Sequence, residues 1–207
     1  MSDFAWRKGW TRDNDSGYTP PMSLRIRPER EADFDAIYSL VRESFSALEA
    51  ADGDEQDFVV EMRRHPGYIR DLALVAERGG ELVGYAMLTA TEILETAMPS
   101  PVLLLAPLCV VPSCWGQGVG AALMEEAFRR AVCRGGTAVF LAGDPEYYKR
   151  FGFRPTVEFG IKHQLKVPDR FILARELVPG ALENVGGTIV LTGHTTCAPA
   201  TGGVTAD

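Results

Sequence analysis

The stretch Leu108-Cys109-Val110-Val111-Pro112-Ser113-Cys114-Trp115-Gly116-Gln117-Gly118-Val119-Gly120-Ala121-Ala122-Leu123 decides how the chain is read. It joins an apolar run to a glycine-rich turn and then to a helical pattern. The run, Val102 to Val111, is apolar without a break, as a strand covered on both faces requires. Pro112 ends it. Past the glycines, Leu123, Ala127 and Ala131 fall on one row and Met124, Phe128 and Val132 on the next, which predicts a long helix with a broad buried face. On its exposed side Glu125 stands four before Arg129 and Glu126 four before Arg130, the favourable orientation for helical ion pairs. Strand, glycine turn and helix N-terminus together set unpaired backbone N–H groups around a concavity at the positive end of a helix dipole. Such a concavity suits a pyrophosphate, where a Cβ on the glycines would block the phosphate; glycines here also serve tight strand–helix packing, the structural alternative.

Working outward, Leu24-Arg25-Ile26-Arg27 alternates like a strand, and Phe34, Ile37, Val41, Phe45 and Leu48 follow at helical spacing. A shorter helix with Phe58 and Met62 inward comes next. Leu72 to Glu77, the pair Gly79-Gly80 and Glu81 to Leu88 make a hairpin. Downstream, Gly135-Gly136 stop the long helix and Thr137 to Leu141 form a strand. Asp144-Pro145 opens a further helix, with Asp as N-cap and Pro in the first turn. Phe171 to Val178 reads as a late strand. This order gives a mixed α/β fold, a central mixed β-sheet flanked by helices.

The 207 residues carry 21 Lys+Arg against 28 Asp+Glu, a net charge of −7, which argues against a nucleic-acid binder acting through bulk electrostatics. No apolar run reaches the length needed to span a bilayer, and the first residues lack the apolar core of a signal peptide, so a cytoplasmic protein is expected. Cys109, Cys114, Cys133 and Cys197 show no paired ligand spacing, so no metal site is expected; Cys109 and Cys133 read as small buried hydrophobes. Residues 1–22, with Trp6, Trp10 and Tyr18, read as an N-terminal extension. Residues 23–182 form the functional domain, and 183–207 a C-terminal segment whose last part is frayed. The aromatic extension suits docking on the domain or on a partner, with a disordered leader as the equal alternative, and a homodimer fits the same feature.

Three phosphate-binding patterns compete at the turn. A P-loop needs Gly-Lys-Ser/Thr, which does not occur. The dinucleotide pattern can be laid on Gly116, Gly118 and Ala121, with Asp144 after the next strand, but Pro112 to Trp115 intervene where the first glycine should meet the strand end. The third is a family resemblance. Leu108, Val110, Pro112, Gly118 and Gly120, at their spacing, resemble the coenzyme A motif LxVxPxx[RQ]xxGxG of the GNAT N-acetyltransferases. Tyr148-Lys149-Arg150-Phe151-Gly152-Phe153 is similar to that family's YxxxGF, and Gly143 to Phe153 with Phe159-Gly160-Ile161 and Glu176 to Leu182 resemble its YhbS-like branch. Two positions depart from the pattern: Trp115 stands where Arg or Gln is usual, and Leu141 where many members carry Asn.

The resemblance implies a GNAT-like sheet splayed at the strand before the turn, acetyl-CoA as cofactor and an amine, small-molecule or peptide, as acceptor. It implies that Leu108, Cys109 and Val110 hold the acetyl carbonyl through backbone N–H groups. Trp115, Gly116, Gln117, Gly118, Val119, Gly120 and Ala121 then hold the phosphates, with Tyr148 as general acid for the thiolate and Tyr147 as its competitor. Pro107, which cannot donate a ladder hydrogen bond, is consistent with an interrupted strand there. The strand before the turn carries no glutamate to act as base; Glu92 and Glu95 are the nearest carboxylates in sequence, and His65 and His163 read as structural. Lys149 and Arg150 are placed to meet the phosphates, or lie on a solvated helix face. The other function class left open is a non-catalytic acyl-CoA-binding sensor.

Overall fold

The computed structural model describes residues 23–47, 53–96 and 100–191. The N-terminal aromatic extension, Leu48 and the C-terminal tail with Cys197 lie outside the described residues. In chain order come β1 (Arg25–Pro28), α1 (Phe34–Ser46), α2 (Glu55–Met62), β2 (Tyr68–Arg78), β3 (Glu81–Thr91), β4 (Ile93–Leu94), β5 (Val102–Val110), α3 (Val119–Cys133), β6 (Ala138–Ala142), α4 (Pro145–Tyr148), β7 (Arg154–Pro155), β8 (Ile172–Glu176) and β9 (Thr188–Ile189). Seven strands form one sheet in the order β1-β2-β3-β5-β6-β8-β7, and β4 pairs with β9 in a separate small sheet. Within the large sheet β5 and β6 run parallel and the other neighbours antiparallel.

The hairpin forms where expected because Gly79 and Gly80 both take positive φ, 61° and 87°, the pairing that matches the twist of the flanking strands. All nine residues of β5 are buried, which is why that strand shows no polar alternation. One face of the sheet packs against α3 and α4 through Leu105, Leu108, Val110, Leu123, Ala127 and Tyr148. The other packs against α1 and α2 through Ile37, Val41, Phe45, Phe58, Met62, Tyr85 and Cys109. Val185 and Ile189 join this second layer, so the packed unit continues past residue 182.

The α3 pattern holds for five of its six named positions and fails at the last, because the helix outruns the sheet. Val132 is 46% exposed and Cys133 is exposed rather than core. Of the two expected ion pairs, Glu126 with Arg130 forms and Glu125 with Arg129 does not. Glu126 takes both Arg129 and Arg130, at 2.8 and 2.6 Å, and the Arg129 hydrogen bond followed by that of Arg130 draws its carboxyl down to about 2. Glu125 instead adds its field at Arg175, which lies over the Phe128 ring and whose ionisation burial lowers.

Beneath the α1/α2 layer sits a fully buried charge. Glu29, at the end of β1, accepts two hydrogen bonds from Arg63 at 2.9 Å each, one from Tyr68 at 2.7 Å and one from Tyr85 at 2.8 Å. Arg63 also lies 3.8 Å over the Phe34 ring. The cluster ties the chain entry, the end of α2 and two central strands together, with both carboxylate oxygens satisfied.

Candidate active site

The site is built by an interruption in β5. Along β3, Ala86 faces Leu108 and Leu88 faces Leu105, so Ala106 and Pro107 together oppose Met87 alone. This is a β-bulge, with one extra residue that bends the strand, and it falls at the proline. The bend separates β5 from β6. Pairing between them is confined to Val102, Leu103 and Leu104 against Ala138, Val139 and Phe140, while β6 goes on to pair with β8 through Ala142. From Leu105 onward the two parallel strands part, and a wedge opens between them.

Ladder alternation fixes which backbone groups face that wedge. Val111 N–H donates to Val83 at 3.0 Å, so Val111 is a paired position, Cys109 is the next, and Leu108 and Val110 turn their N–H and C=O groups away from β3. Of the three expected carbonyl-binding residues, the structure therefore presents Leu108 and Val110 to the gap and commits the Cys109 amide to the sheet. The Val110 carbonyl accepts from Trp115 Nε1 at 2.7 Å. Trp115, the departure from the motif, thus ties the loop back onto the strand.

Past Pro112 the turn follows the glycines. Gly116 and Gly118 have φ of 71° and 78°, a conformation disfavoured for residues with a side chain, and a Cβ on either would meet nothing within 4 Å. Gly118 is the N-cap of α3 and no side chain caps it, so the first N–H groups of the helix have no side-chain acceptor at the cap. A cavity of about 160 Å³ opens there, lined by Gly116, Gly118, Gly120, Cys114 and Val110 on one side and Tyr147, Arg150 and Phe151 on the other. Open space at positive-φ glycines beside uncapped N–H groups suits a pyrophosphate. Gln117 does not line the cavity: its side chain donates to the Ser113 carbonyl and accepts from Arg78, bracing the turn.

The second expected motif arrives from β6 by way of Asp144, whose side chain accepts from the Glu146 N–H at 2.9 Å as the N-cap of α4. Successive helical residues diverge by about 100°, so the two tyrosines face different ways. Tyr147 lines the cavity. Tyr148 is fully buried and turned toward the sheet, its ring edge-on to Tyr147 at 4.8 Å and to Phe153 at 5.6 Å. Gly143, just past the end of β6, lies against the Tyr148 ring so closely that a Cβ there would come within 2.6 Å of it. Tyr148 therefore packs against the end of β6 on the α3 side of the sheet.

Two candidate bases are not brought to the site. Thr91 faces Val102, so Glu92 and Glu95 lie beyond the opposite end of β5, about 20 Å of strand from Leu108. Both are exposed. His65 Nδ1 accepts from the Gly67 N–H, a local turn bond, and His163 pairs with Asp169 at 3.0 Å. Among the described residues no cluster of His, Cys, Asp or Glu could hold a metal ion, and no helix is long and apolar enough to cross a membrane.

Comparison with known proteins agrees with this geometry. The model of the acetyltransferase (GNAT) family matches residues 34–153. The uncharacterized N-acetyltransferase YjhQ of Escherichia coli K12 is 33% identical over 102 residues, 49% of this chain and 56% of that protein. The uncharacterized N-acetyltransferase YhbS of the same strain is 27% identical over 167 residues, 80% of this chain and 95% of YhbS. The crystal structure of Escherichia coli YhbS in complex with CoA superposes with a TM-score of 0.74 at 26% identity, covering 82% of this chain and 90% of that one.

Proposed function

Because the chain belongs to the GNAT acetyltransferase family, we propose that it is an N-acetyltransferase that moves an acetyl group from acetyl-CoA to an amine by direct attack on the thioester. The observation that carries this reading is the wedge between β5 and β6, with a glycine-lined helix N-terminus on one side of it. Bound there, acetyl-CoA supplies an acyl group on a good leaving thiolate. The chain's own residues do the rest. The N–H groups of Leu108 and Val110, preset by the bulge, are donors for the acetyl oxygen, and a donor of this kind is typically worth about 10² to 10³ in rate. Gly116, Gly118 and Gly120 bring backbone N–H groups to the phosphates.

Tyr148 holds the proton for the departing sulfur. A phenol is protonated at neutral pH, and transfer to a thiolate is only modestly uphill. Burial of the ring keeps water from competing for that proton. With β5 wholly apolar, the amine sheds its proton away from that strand. The net charge of −7 favours cationic acceptors, small-molecule or peptide amines. A reducing, cytoplasmic setting fits a sequence whose four cysteines show no paired spacing.

The test is thiol release from acetyl-CoA across a panel of small and peptide amines. Tyr148→Phe is expected to lower turnover at least tenfold while leaving CoA affinity within twofold, and Tyr147→Phe to spare turnover. The reverse pattern would move the acid to Tyr147. Absence of turnover with every amine, despite tight CoA binding, would favour a sensor or regulatory module.

A further inference from the structure

The motif position that usually carries Arg or Gln is here Trp115, and its indole N–H is committed to the Val110 carbonyl. Backbone N–H groups remain at the turn, yet a pyrophosphate brings two negative charges, and partial helix-end charge offsets only part of them. We propose that Arg150, on the opposite wall of the cavity, supplies the missing side-chain cation and binds the cofactor pyrophosphate. The proposal rests on the donor assignment made above.

Arg150 lines the cavity together with Gly116, Gly118 and Gly120. Its guanidinium is held before any ligand arrives. Nε donates to the Tyr147 carbonyl at 3.1 Å, and the guanidinium carbon lies 4.2 Å over the Tyr147 ring and 5.3 Å from the Phe151 ring centre. These contacts use one of five N–H donors and fix the plane of the group. The two Nη groups make no ion pair and no hydrogen bond among the described residues. A fork held in this way loses little side-chain freedom on binding and matches phosphate geometry. The neighbouring cations are engaged elsewhere: Lys149 pairs with Glu146, Arg78 donates to Gln117 and also meets Cys114 Sγ at 3.9 Å, and neither cation lines the cavity. The cation has thus moved from the turn itself to the segment after α4, and the same arginine clamps the Tyr147 face of the site.

Calorimetric titration of the full chain separates this role from packing. The ligands are CoA and dephospho-CoA, which keeps the pyrophosphate and lacks the 3′-phosphate; the proteins are wild type, Arg150→Gln and Lys149→Gln, each checked for unchanged thermal unfolding. Arg150→Gln is expected to weaken both ligands by the same factor, about 10- to 100-fold. It should also flatten the fall of affinity with added salt, and Lys149→Gln should stay within twofold on both ligands. Unchanged affinity in Arg150→Gln would overturn the proposal. So would a loss with the wild-type salt dependence, which marks a packing role, or a loss on CoA alone, which places the cation at the 3′-phosphate. Failure of wild type to bind either ligand would instead remove the donor assignment, and the proposal with it.

Discussion

Replacing Arg63 by Met leaves the Glu29 carboxylate charged, with 0% of its side chain exposed, and without the guanidinium that now binds both its oxygens at 2.9 Å. Breaking a buried pair from one side typically costs about 3–5 kcal/mol, because the remaining charge is uncompensated. Two features move the value within that range. Tyr68 and Tyr85 still donate to Glu29, which favours the lower end, while loss of the Arg63 stack on Phe34 adds about 0.5–1 kcal/mol. The expected loss is about 3 kcal/mol. At roughly 2–4 °C per kcal/mol for a chain of this size, that lowers Tm by about 6–12 °C. Urea unfolding followed by far-UV circular dichroism reads the free energy directly. The double variant Glu29→Gln, Arg63→Met should be more stable than Arg63→Met alone. A single-variant loss under about 1 kcal/mol, or a double variant less stable than the single, would refute the reasoning.

The same cluster sets an alkaline limit. Burial first, and the Glu29 charge with it, raises the phenol ionisation of both Tyr68 and Tyr85 above its ordinary value. A raised folded-state value contributes stability fully below the unfolded value, about 10, and loses it as pH climbs beyond. Unfolding free energy should therefore decline above about pH 10, and less steeply in Tyr68→Phe, measured by urea titration at stepped pH. At Gly143, an added methyl meets the Tyr148 ring at 2.6 Å, so Gly143→Ala is expected to cost about 1–3 kcal/mol and to alter the near-UV tyrosine signal. Unchanged stability and spectrum would show that the ring yields freely. Trp115→Phe removes the donor to the Val110 carbonyl at 2.7 Å, with an expected loss of about 1 kcal/mol and weaker CoA binding as the turn loosens; wild-type values for both in calorimetry and melting would contradict a tethering role.

Local features of the fold were legible because each is fixed within a few residues. The unbroken apolar run of β5, the paired glycines of the hairpin, the Asp144 cap and the glycine turn before α3 all carry their cause beside them. Pro107 marked the bulge, since a proline withholds the ladder donor wherever the strand lies. What failed to show in the sequence depends on distant contacts. Glu29, Arg63, Tyr68 and Tyr85 come from separate segments, and a glutamate after a proline in a charged stretch reads as solvated surface. Glu92 and Glu95 are the carboxylates nearest β5 in sequence, but nearness in sequence does not give the direction of β5, and pairing of Thr91 with Val102 sends them to its far end. The α3 heptad-like rows gave no warning that the last turn overhangs the sheet, exposing Val132 and Cys133. Motif spacing alone distinguishes the two tyrosines, whereas their orientations, Tyr147 toward the cavity and Tyr148 into the core beside Gly143, follow from where α4 docks.

The measurement that bears most directly on the central claim is calorimetric titration of the purified chain with acetyl-CoA, with NADH and ATP titrated in parallel. An acetyl-CoA site formed by the β5 wedge and the glycine turn requires micromolar binding of acetyl-CoA and no comparable binding of the other two. Absence of acetyl-CoA binding, or NADH binding of equal strength, would contradict it.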